Sequence, residues 1–298
     1  MIKIVAFFLL TLGLLLTSCS DQENKEGYKP AGKKTELNIY TFGIHPYLNT
    51  KKMYSSYMPI LDLIEKRLGN VRFRLETSKT YADYEKKLYR GDFDFSLPNP
   101  YQTLNALSHG YTVVAKMKPD TVFKGIFIAR KDQHITSFEQ IKGKVVSFPA
   151  PTALAATMMP LYYLHQHGID TGKDITKKFV GSQYSSILNA YSLDSTIAAT
   201  WPPPWESWKK ENPKKAEKME LIWQTEPLIN NGVIVKKELD QELVKKVVDI
   251  LVELENSDEG RKMLENAGFE GFERAQKRDY DRVAEFLDRY NNTVGAKK

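Results

Sequence analysis

Apolar positions along this chain follow two spacings. Residues 37–41, 71–76, 93–97, 145–148, 196–200, 219–224 and 233–235 are short β-type runs, and a further one falls around Phe179 and Val180. Between them apolar residues recur every three or four positions. In 54–68, Tyr57, Ile60, Leu61, Ile64 and Leu68 share one helical face, with Gly69 as a stop. The same spacing predicts helices over 81–90, 101–109 (ended by Gly110), a short one from Ser137, 153–167 and 187–191. Near the end, Val244, Val247, Val248, Leu251 and Val252 form one face, and Val283, Phe286, Leu287 and Tyr290 another; everything after 235 reads as helical. The stretch 122–130 is a longer β-rich run that closes a first block, and Pro202, Pro203 and Pro204 predict a break in the backbone. Strands alternating with helices in two blocks predict an α/β fold with mostly parallel sheets.

The N-terminus has a different pattern. Lys3 precedes a 13-residue apolar run at 4–16, too short for a membrane span of about 20 residues and suited to the core of an export leader. Leu16-Thr17-Ser18-Cys19 follows it and resembles the bacterial lipobox, in which the cysteine is acylated and becomes the new N-terminus; the alternative is an ordinary secretory signal with an incidental cysteine. Residues 1–18 are then a leader. Residues 19–34, polar with Gly and Pro, read as a flexible tether.

Composition narrows the chemistry. Of 298 residues, 42% are apolar and 27% charged, as in a folded domain with a real core. Cys19 is the one cysteine, which excludes a disulfide framework and a thiolate metal cluster. The net charge of +6 is a modest excess, and export removes nucleic acid from the expected partners. Dinucleotide, P-loop, metalloprotease, nucleophile-elbow and CxxC motifs are absent. His165 and His167, two apart on a helix, point about 200° apart and cannot grip one metal. Asp92 and Asp94 enter a strand with no base or nucleophile beside them in sequence. No enzyme activity, metal or cofactor is expected.

What stands out are loops after the strands, where open α/β sheets bind ligands. Gly43–Tyr47 follows the first, Ser78–Tyr81 the second and Pro98–Tyr101 the third, so Tyr47, Tyr81, Asn99 and Tyr101 are candidates for one wall of a cleft. In the second block, Thr152 is placed either to cap the helix from Ala153 or to leave that helix's first amides open to an anion. Trp201, ahead of the prolines, either walls a cleft or packs a hinge.

The order of these features resembles a known family. The lipobox, FGI-x-PY, KTYADYEKKL, GDFDFSLPNPY, KGIFIARKD, IKGKVVSFPAPT and WQTEPLINNG together look like the phosphate/phosphite/phosphonate-binding (PhnD-like) solute receptors of ABC transporters, over roughly 37–290. The resemblance implies a type II periplasmic-binding-protein fold: two α/β lobes, 35–125 plus 232–298 and 126–231, joined by two crossing strands near 122–130 and 233–236. It implies a lipid-anchored extracytoplasmic receptor, on the periplasmic face or cell surface, that captures a phosphate- or phosphonate-type oxyanion or related small molecule for an ABC permease. A ligand-sensing accessory protein for a sensor kinase or redox system is the alternative. Relatives commonly carry a Ser-Thr-Ser-Gly-like turn where this chain has Thr152-Ala153-Leu154-Ala155-Ala156. Gln183 stands where some relatives place an acid, and Trp201 where relatives often have Asp or Asn, which implies a less charged, more aromatic pocket.

Overall fold

The computed structural model describes residues 37–295. The leader, the tether and Cys19 lie outside the described residues. The first half opens with β1 (Asn38–Ile44), α1 (Thr50–Leu68), β2 (Val71–Glu76), α2 (Tyr81–Arg90), β3 (Phe95–Leu97) and α3 (Pro100–Ala106), followed by β4 (Tyr111–Lys118). The face expected on α1 is the buried one, holding Tyr57, Ile60, Leu61 and Ile64 against the sheet, and Gly69 ends the helix at φ 76°. That left-handed turn suits a residue without Cβ. Glu65, also on the buried face, accepts from the Phe73 amide (2.6 Å) and from Arg72 (2.7 Å), so its charge is held where α1 meets β2.

The chain continues through β5 (Ile126–Arg130), β6 (Lys144–Phe148), a π-turn at Leu154–Met158, α4 (Met159–Gln166), β7 (Ile175–Phe179), α5 (Gln183–Tyr191), β8 (Ile197–Thr200), α6 (Pro202–Glu211), α7 (Pro213–Ala216) and β9 (Met219–Gln224). It closes with β10 (Gly232–Lys236), α8 (Gln241–Glu253), α9 (Asp258–Ala267), β11 (Gly271–Arg274) and α10 (Asp281–Tyr290). The strands form two sheets, ordered β11-β4-β10-β3-β1-β2 and β7-β6-β8-β5-β9. In the first, β1 runs parallel to β2 and β3, while β10 and β11 are antiparallel to their neighbours. In the second, β6 is parallel to β7 and β8, and β5 antiparallel to β8 and β9.

Two passages join the sheets, 119–125 after β4 and 225–231 after β9. They lie side by side: the Leu228 amide donates to Phe123 O (2.9 Å), the Thr225 amide to Gly125 O (2.9 Å), and the Gly125 amide to Thr225 Oγ1 (2.9 Å). The crossings therefore fall just ahead of the positions expected. β5 and β10 each belong wholly to one sheet.

Four features differ from the sequence reading. The prolines at 202–204 open α6 instead of breaking the chain, with Trp201 extended at the cap (φ −140°, ψ 165°). Amides in a first helical turn have no acceptor within the helix, so proline loses nothing there and pre-sets φ. Thr152 does not cap the next helix, because Ala153 takes the cap position without a side-chain bond. β4 and β11 had not been expected, and β11 interrupts the region read as wholly helical.

Candidate ligand-binding cleft

The parallel strands of each sheet end on the same side, and their following loops meet. His45 follows β1, Tyr81 starts α2 after β2, and Asn99 follows β3. From the second sheet, Ala153 follows β6, Gln183 starts α5 after β7, and Trp201 follows β8. These six residues, with Phe123 from the first passage and Leu154–Ala156 from the π-turn, enclose a cavity of about 10 Å³. That is space for about one water.

The lobes are tied across this cavity. Gln183 Nε2 donates to the Tyr81 hydroxyl (3.1 Å), and Gln183 Oε1 accepts from Thr200 Oγ1 (2.8 Å). Asn99 caps α3 through a reciprocal box with Gln102, and its Nδ2 donates to the Thr152 carbonyl (3.0 Å). Burial pushes the Tyr81 phenol well above its ordinary value, so it stays protonated at neutral pH. Trp201, 2% exposed, packs its indole 5.4 Å from the Tyr47 ring and 5.5 Å from Phe123. It belongs to the same apolar cluster as the first lobe's core, as do Ala153–Ala156 and Met158. The indole fills the space between the lobes.

His45 gives the cavity a directed acceptor. Its Nδ1 lies 2.8 Å from Leu97 O, which can only accept, so Nδ1 carries the proton and the neutral ring presents a bare Nε2. Burial holds this imidazole near pKa 4, with the Leu97 carbonyl opposing the shift. On the opposite wall, the amides of Leu154, Ala155 and Ala156 open the helical segment and have no acceptor within it. The residues that carry this acceptor and these donors line the same small space.

Of the residues singled out from sequence, Tyr81, Asn99, Gln183 and Trp201 are brought together in this wall. Tyr47 stands behind it: its hydroxyl bonds Tyr57 (2.7 Å) and Ala267 O (3.3 Å), leaving its ring face to His45 and Trp201. Tyr101 is half-buried on α3 against the first core, outside the wall, and Thr152 contributes its carbonyl and not its hydroxyl. His45 and Phe123 were missed, although His45 lies inside the loop identified after the first strand. Asp94 is held by Lys236 and the Thr41 amide, and Asp92 by Arg90, so both aspartates have structural partners. Among the described residues no group of three or more His, Cys, Asp or Glu side chains could hold a metal, and no helix is long and apolar enough to cross a membrane.

Two lobes on paired crossings, with loops from both sheets enclosing a cavity, define a periplasmic-binding-protein fold of type II. Residues 42–280 match the family of periplasmic substrate-binding proteins of phosphonate ABC transporters, and the chain belongs to that family. It is 24% identical over 192 residues to a probable ABC transporter phosphite-binding protein of Prochlorococcus marinus, a match spanning 60% of this chain and 65% of that relative. Its fold is similar to that of a phosphonate-transporter binding protein of Pseudomonas aeruginosa (TM-score 0.80, 16% identity, covering 88% of this chain and 90% of the other). It is likewise similar to PhnD1 of Prochlorococcus marinus in complex with methylphosphonate (TM-score 0.77, 20% identity, 85% and 98% covered).

Proposed function

We propose that this chain is the solute receptor of an ABC importer, anchored outside the cytoplasm by a lipid on Cys19, and that it captures a small phosphorus oxyanion between its lobes. The observation that carries this reading is the cavity itself. Its walls come from both sheets and are bonded to one another through Gln183–Tyr81 and Asn99–Thr152. Family membership supports a binding role over catalysis.

On this reading 35–125 with 232–298 and 126–231 are the two moving bodies, hinged at the paired passages. Each neutral cross-lobe hydrogen bond contributes about 1 kcal/mol, so the lobes can part at modest cost. A ligand that binds only between them then selects the closed state, which is the form a permease can recognise. A thermal-shift panel tests the capture: phosphate, phosphite or an alkylphosphonate should raise the melting temperature, because each binds only the native state. A shift with none of them removes the oxyanion from the proposal. Fatty-acid incorporation into the wild-type chain no higher than into a Cys19→Ser variant removes the lipid anchor.

A further inference from the structure

Each sheet ends in an edge strand that lies away from the two passages, β2 in the first and β7 in the second. The segments that follow these strands meet at the seam between the lobes, where Gln183, after β7, donates to the hydroxyl of Tyr81, after β2 (3.1 Å). The two edges thus flank the side on which the lobes part. We infer that this side is a membrane-docking surface, and that its occupant is a leaflet of anionic phospholipid headgroups. The inference rests on the reading of a lipid-anchored receptor, and it adds a second contact with the membrane besides the lipid on Cys19.

Three observations carry it. The first is charge. Residues 71–79 hold Arg72, Arg74 and Lys79 against Glu76, and residues 173–180 hold Lys173, Lys177 and Lys178 against Asp174. All six cations are exposed. Both acids are engaged, Glu76 by Lys87 (2.5 Å) and Asp174 by the Asp170 amide (2.8 Å). Of the six cations, only Arg72 makes an ion pair among the described residues, with Glu65. The second is a pair of rings. Tyr54, 41% exposed, donates to Leu75 O near the end of β2 (2.9 Å), and Phe179, 44% exposed, ends β7. Rings with basic side chains beside them suit the boundary between headgroups and acyl chains, because the cations lay their stems along apolar surface while their charges reach the phosphates. The third is reach. The 18 residues at 19–36 span at most roughly 60 Å, enough for any side of a body with a radius of gyration of about 18 Å to meet the bilayer.

Protection of exposed edges does not account for this pattern. Charged side chains on an edge strand also discourage pairing with another chain. Yet the edges on the side of the passages are not basic: β9 carries Glu220 and no cation, and β11 carries Glu273 beside Arg274. Nor does that role call for exposed rings. Because one basic edge belongs to each lobe, a plane of headgroups engages both at once when the lobes are closed. Docking then turns the side on which the cleft opens towards the membrane.

Amide hydrogen exchange of the full-length protein tests this on vesicles of phosphatidylcholine alone and on vesicles of equal parts phosphatidylcholine and phosphatidylglycerol. Exchange in 71–79 and in 174–180 should be slower by roughly threefold or more on the anionic vesicles, and high salt should remove the difference. Each basic side chain strengthens attachment to an anionic surface about fivefold, so Arg74→Gln, Lys79→Gln, Lys177→Gln and Lys178→Gln combined should weaken docking by a factor on the order of several hundred and abolish the slowing. All four side chains are exposed, so this variant should keep the wild-type melting temperature. Equal exchange on the two kinds of vesicle overturns the inference, as does slowing that survives the four substitutions or is confined to one of the two edges. The neutral vesicles read the anchor separately: a protein that stays off them but shows the slowing on anionic ones loses the lipid anchor and keeps the docking surface.

Discussion

Lowering the pH from 7.5 to 4.5 should destabilise this protein through His45. The imidazole is buried, donates from Nδ1 to Leu97 O, and titrates near 4, against about 6.5 in an unfolded chain. Between those values the unfolded state binds a proton that the native state does not. Stability therefore falls as pH falls, with the full contribution present above about 6.5 and lost progressively towards 4. Over the stated interval the loss from this one group is about 2.5 kcal/mol. The rings packed around it, Tyr47, Tyr81 and Tyr84, have their phenol pKa values raised by burial and stay neutral throughout, so none compensates. The assay is urea denaturation at both pH values for wild type and His45→Gln. At a slope of about 2 to 3 kcal/mol per molar, the wild-type midpoint should drop by roughly 1 M more than the variant's. Equal drops in the two proteins would refute the reasoning, since the acid sensitivity would then lie in groups both share.

Trp201→Ala should lower the melting temperature by about 10 °C, because a buried indole in contact with Tyr47 and Phe123 is lost and aromatic-to-alanine changes in cores cost about 3 to 5 kcal/mol. A change of under 2 °C in a calorimetric scan would mean the indole does not fill the interlobe space. Gly43→Ala should also destabilise, by roughly 1 to 3 kcal/mol in chemical denaturation, since a Cβ at this strand position would fall 2.4 Å from Cγ of the fully buried Phe93 ring. A neutral effect would mean that ring shifts freely.

The sequence made the repeated strand-helix units legible because each carries its own periodicity, and the loops after β1, β2, β3, β6 and β8 followed from them. It was less informative where local rules competed. The three prolines read as a break because the helix that begins at 202 is announced by nothing except proline's tolerance in a first turn. Thr152 has the chemistry of a cap, but the turn beginning at Pro151 puts Ala153 at the cap and leaves the Thr152 carbonyl for Asn99. β11 has Phe272 as its one apolar side chain, so its four residues carry no apolar run and no alternation. Within the site, tyrosine content pointed at Tyr47, whereas its hydroxyl is bound by Tyr57 and by Ala267, 220 positions away. That contact, and with it the choice of His45 as the residue facing the cavity, is set by tertiary packing and has no signal in the loop's own residues.

Capture between two lobes makes one demand that a surface site would not. Amide hydrogen exchange measured with and without saturating methylphosphonate should slow together in 45–52 and 78–81 of the first lobe and in 152–156 and 181–186 of the second, because closure shields both walls at once. Protection confined to one lobe, or none in either while the ligand is bound, would contradict the account.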